Sequence, residues 1–84
     1  MADDPQLLDD VAQIVHDALG VDPEQVRPEA RFVADLGADW LAVAEIVLAC
    51  EDRFDVDLPA GTSREVATVA DLLARLRHAD TSAG

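Results

Sequence analysis

The chain reads as an all-α protein: a four-helix bundle with a long loop between its first two helices and a short third helix. Three observations predict this class. Apolar residues recur at three- and four-residue spacing in three separate segments. Helix start signals stand just ahead of those segments. No segment reads as a convincing strand, and a length of 84 residues suits one small domain, taken here as 1–84 with 79–84 as a frayed tail.

The first helix opens with Asp4 as N-cap and Pro5 at the first helical position, where a missing backbone N–H costs nothing. Leu7, Leu8, Val11, Ile14, Val15, Ala18 and Leu19 form its apolar face, with Asp9, Asp10 and Asp17 on the other side. Gly20 is the expected stop. Residues 21–39 form the long connection, broken by Pro23 and Pro28 and turned at Gly37. Its apolar residues Val21, Val26, Phe32, Val33 and Leu36 are expected to pin it to the core. The second helix runs from about Trp40 to Phe54, capped by Asp39. Leu41, Val43, Ala44, Ile46, Val47, Leu48, Ala49 and Cys50 make it apolar over a broad face, which marks it as central. Asp55 to Pro59 is a linker with Val56 and Leu58 turned inward, and Thr62 or Ser63 is expected to cap a short turn over Arg64–Ala67. Thr68-Val69-Ala70-Asp71 has the form of a capping box with Asp in place of the usual Glu or Gln. It opens a last helix with Val69, Leu72, Leu73 and Leu76 at core spacing, and Arg75, Arg77 and His78 near its end suit the helix dipole.

Composition narrows function by exclusion. The chain carries 18 Asp and Glu against 6 basic residues, for a net charge of −12, and every basic residue is Arg. Nucleic acid binding requires clustered cations on phosphates, and an anionic membrane repels such a chain. A basic protein surface is the natural partner. The single cysteine, Cys50, forms no internal disulfide and no CxxC zinc site. No apolar run reaches the length of a membrane span. Met1-Ala2-Asp3-Asp4 lacks the regions of a signal peptide, so a cytoplasmic, monomeric domain is expected.

The most informative stretch is Asp35-Leu36-Gly37-Ala38-Asp39-Trp40-Leu41, followed by Glu45 and by Glu51 to Pro59. With the capped first helix, Phe32 in the long loop and the Thr68-Val69-Ala70-Asp71 start, it resembles the acyl carrier protein family over nearly the whole chain. The resemblance implies a small acidic four-helix bundle that carries acyl chains on 4′-phosphopantetheine in fatty acid or polyketide synthesis. It also implies docking of the acidic second helix onto basic patches of synthases and transferases. Asp35, Asp39, Trp40, Leu41, Glu45, Glu51 and Asp52 are the expected partner-binding residues. Ala42 departs from the pattern, since the family often has an acid there.

The larger departure is at the attachment point. The family's motif reads Asp-Ser-Leu, with the serine hydroxyl as acceptor of the arm; here it reads Asp39-Trp40-Leu41. An indole cannot form the phosphodiester. The only serines, Ser63 and Ser82, lie in other segments. No cofactor is therefore expected on the chain as written, and 4′-phosphopantetheine only if position 40 held Ser. Two readings follow: a non-carrier interaction module that engages a ketosynthase-like or other carrier-recognising enzyme, or a genuine carrier whose serine has been exchanged for Trp40. The indole can point outward as a partner anchor. It can also fold inward over Ala44 and Val47, its neighbours at i+4 and i+7, where it would plug the cavity the family uses for acyl chains.

No catalytic or metal-binding residues are expected. Asp55-Val56-Asp57 begins like a calcium loop, but the sixth and twelfth positions are Ala60 and Val66 where Gly and Glu are needed. His16 and His78 are far apart in the chain and read as isolated surface residues. Cys50 sits among apolar neighbours and reads as a buried, inert thiol.

Overall fold

A computed structural model describes residues 5–79. The expected Asp4 cap and the tail beyond Ala79 lie outside the described residues. Four α-helices follow in order: α1 (Pro5–Leu19), α2 (Trp40–Phe54), α3 (Thr62–Glu65) and α4 (Val69–His78), with a 3-10 turn at Pro23–Gln25 inside the long loop. None of these helices is long and apolar enough to cross a membrane.

One apolar cluster holds the elements together. Val11, Ile14 and Val15 of α1, Val43, Ile46, Val47 and Cys50 of α2, and Val69, Leu72, Leu73 and Leu76 of α4 are all buried in it. The long loop contributes Val26, Ala30, Phe32, Leu36 and Ala38. That burial is the physical reason a loop of this length stays down: each buried side chain offsets part of the chain entropy lost on ordering. Val33 is the exception among the expected anchors, being 64% exposed. It lies within the tight turn that buries Phe32 and Leu36, and that turn faces it to solvent.

Hydrogen bonds knit the loop to the start of α4. Phe32 N–H donates to the Ala67 carbonyl (3.0 Å), Val69 N–H to Ala30 (2.9 Å) and Ala70 N–H to Pro28 (2.8 Å). Arg31 and Thr68 form an isolated antiparallel bridge. A helix leaves its first N–H groups without intrahelical partners, and at α4 the loop carbonyls supply them. The capping box is present as expected. The Thr68 hydroxyl accepts from Asp71 N–H (3.1 Å), and the Asp71 carboxylate accepts from Ala67 and Thr68 N–H (2.9 and 3.1 Å). Those backbone bonds hold the Asp71 carboxyl below the usual carboxylate range.

Other joints differ in detail from the sequence pattern. Gly20 adopts φ +76°, the left-handed stop that glycine allows without strain, and its N–H donates to the His16 carbonyl (2.7 Å). His16 is not isolated: its Nδ1 donates to the Val21 carbonyl at 2.8 Å and ties the end of α1 to the loop. Ala18 is exposed and Ala12 buried, a small rotation of the α1 face. The short helix is α3, Thr62–Glu65, two residues earlier than the expected Arg64–Ala67, and its N-cap is Gly61 at φ +92°. Thr62 is buried and its hydroxyl donates to the Pro59 carbonyl (2.6 Å), so the side chain closes the preceding turn instead of capping from outside. Ala79, the last described residue, packs partly against the core.

Candidate functional site

The segment before α2 is built to aim that helix. Asp35 and Leu36 N–H groups both donate to the Arg31 carbonyl, and Ala38 N–H donates to Phe32 (2.9 Å). The Asp35 carboxylate accepts from Arg31 N–H (2.8 Å) and pairs with the Arg31 guanidinium (3.6 Å). Gly37, at φ +73°, takes the chain through the turn. Asp39 then caps α2: its carboxylate accepts from Ala42 N–H at 2.8 Å, satisfying one of the free donors.

Trp40 is the first residue of α2 and is 68% exposed. Its indole does not fold inward. A groove of about 220 Å³ runs between α2 and α3, lined by Ala44, Val47, Leu48, Glu51 and residues 58–63, and Trp40 is not among its walls. Position N1 explains this, since a side chain there leans toward the N-terminal side of its own Cα, away from Ala44 and Val47 further along the helix.

Leu41 and Leu48 are also exposed, at 53% and 63%. They stand seven residues apart, two helical turns, and thus share a face. Glu45 and Asp52 fall on that same stripe, both exposed. Neither side chain makes a hydrogen bond or ion pair among the described residues. The other expected contact residues are engaged within the chain. Asp35 and Asp39 hold the turn and the cap. Glu51 is half-buried and accepts from Leu58 N–H at 2.8 Å, latching the 55–59 linker to α2. Arg53, the one cation in this acidic stretch, pairs with Asp10 of α1 at 3.1 Å.

Cys50 is fully buried, and burial pushes its thiol up to about 12, with Arg53 opposing and Glu51 adding to the shift. A thiol that stays protonated is not a nucleophile. Sequence reasoning missed Leu48 as a surface residue. The signal was present in principle: α2 is apolar around most of its circumference, so some of those residues had to remain outside.

Residues 9–76 match the family described as "Phosphopantetheine attachment site". Over 67 residues the chain is 42% identical to the acyl carrier protein of Wolinella succinogenes, covering 80% of this chain and 88% of that protein. The chain belongs to the acyl carrier protein family. Similar agreement extends to the acyl carrier protein of Sulfurovum sp., 43% identical across 80% of this chain and 89% of the relative. That of Helicobacter pylori is 39% identical, across 80% and 86%. The all-helical bundle and the short third helix are those the family resemblance implied.

Proposed function

We propose that this chain is a non-enzymatic interaction module of fatty acid or polyketide biosynthesis, one that docks as a carrier does but bears no arm. The observation that carries the reading is the residue at position 40. The family's Asp-Ser-Leu motif corresponds to Asp39-Trp40-Leu41, and an indole offers no hydroxyl for a phosphodiester. Residues 21–61 contain no Ser or Thr at all. Thr62 is buried with its hydroxyl donated to Pro59, and Ser63 lines the far side of the groove on α3. The residues at the attachment point thus do not fit 4′-phosphopantetheine.

Docking itself needs only a surface and a field. The α2 face, with Trp40, Leu41, Glu45, Leu48 and Asp52 exposed, supports engagement of the basic surface of a ketosynthase-like or other carrier-recognising enzyme. Incubation with a phosphopantetheinyl transferase and coenzyme A, followed by intact-mass measurement, tests the reading. An unchanged mass is expected; gain of the arm sinks it.

One observation favours a second reading, a carrier disabled only at its acceptor. The α2–α3 groove is open and not plugged by the indole, which supports a scaffold with room left for an acyl chain. On this reading Trp40→Ser would be modified and would then pass acyl groups.

A further inference from the structure

We propose that Trp40 is a non-covalent anchor whose indole enters an apolar recess of a carrier-recognising enzyme, oriented by Glu45 and Asp52 against Lys or Arg side chains. This rests on the reading that the chain docks without an arm, and it specifies what takes the arm's place.

The indole is 68% exposed at the first position of α2, and its N–H makes no hydrogen bond among the described residues. A buried Trp N–H usually finds an acceptor, so the matching recess has an acceptor at its wall. Leu41 and Leu48 extend the apolar surface along the helix, giving an apolar centre with an acidic edge. Glu45 and Asp52 are the acids of this stripe whose side chains have no partner among the described residues. Seven residues separate them, and at 1.5 Å per residue that is about 10 Å along the axis. The complementary cations therefore lie about 10 Å apart, to one side of the recess.

Charge also decides the occupant. A second copy would bring Glu45 and Asp52 against a chain of net charge −12, and like charges across an interface are costly. A partner surface with cations beside an apolar recess satisfies both the exposed leucines and the free carboxylates.

The chain holds one Trp, so 5-fluorotryptophan labelling yields a ¹⁹F resonance from Trp40 alone. The probe is a purified ketosynthase of bacterial fatty acid synthesis, titrated into the labelled chain. The resonance is expected to shift and broaden as the complex forms. Trp40→Ala should weaken binding about thirtyfold, as for an aromatic hot spot, and Trp40→Phe by less, which separates the ring's bulk from its N–H. Glu45→Lys and Asp52→Lys should each weaken binding and flatten its salt dependence. Asp9→Lys, an exposed acid on α1, should leave both nearly unchanged. A complex that forms with the ¹⁹F resonance unmoved, equal affinity of Trp40→Ala, equal losses at Asp9 and Glu45, or no complex at all would overturn the inference. The intact-mass measurement stands apart: gain of the arm defeats the non-carrier reading whatever Trp40 touches.

Discussion

Helices α2 and α4 both begin with a side-chain cap, yet they serve opposite ends. At α4 the first turn is closed twice, by the Thr68–Asp71 box and by the carbonyls of Pro28 and Ala30. Its apolar residues Val69, Leu72, Leu73 and Leu76 are all buried. At α2 the first turn has Asp39 alone as a side-chain cap. Its apolar residues divide between core and surface, with Leu41 and Leu48 outside and Trp40 projecting at the end. The difference teaches what each helix is for. A helix whose free donors and apolar atoms are all consumed internally closes the fold, and one that leaves both apolar and acidic groups unspent presents a surface.

The sharpest way to break this comparison is to truncate one leucine on each helix. Leu72→Ala, at a fully buried site, should cost about 2–5 kcal/mol in denaturant unfolding, since it loses transfer energy and leaves a cavity. A loss under about 1 kcal/mol would mean that α4 is not the closing element. Thr68→Ala comes next. Removing the cap should cost about 1 kcal/mol in the same assay and expose the start of α4 to faster amide exchange.

The Asp71 carboxylate sharpens the comparison through pH. Its native pKa lies below its ordinary value because Ala67 and Thr68 N–H groups donate to the charged form. The stability it contributes is complete above the ordinary carboxylate pKa and is lost as pH falls through the lowered native value. Asp71→Asn should thus be less stable than the parent at neutral pH, and the gap should narrow as the solution is acidified. Parallel unfolding curves at all pH values would remove the box from the account.

The smallest expected effects are on the α2 face. Leu48→Ala and Trp40→Ala should change unfolding free energy by no more than about 0.5 kcal/mol, as for exposed sites without special contacts. A large destabilisation by either would show that the residue belongs to the core and not to a surface.

Much of this molecule was legible in advance. The bounds of α2, the Asp39 cap, the Thr68 box and the Gly20 stop follow from local rules: which residues free a donor, satisfy one, or tolerate positive φ. The buried face of α4 was readable because its polar residues interrupt the apolar ones at helical spacing. The apolar crowding of α2 erased that contrast, so Leu48 could not be told from Val47. Glu51 was equally opaque. A carboxylate that latches to Leu58 N–H looks, in sequence, like one awaiting a partner.

The sequence by itself determined the helical class, the acidity, the family resemblance and the presence of Trp at position 40, because composition and local chemistry carry them. Only the tertiary structure decided which acids are free and which are consumed, how the long loop completes the start of α4, and that the indole stands in solvent while the α2–α3 groove stays open. Those outcomes depend on where carbonyls and N–H groups from distant segments meet, and no local pattern records such meetings.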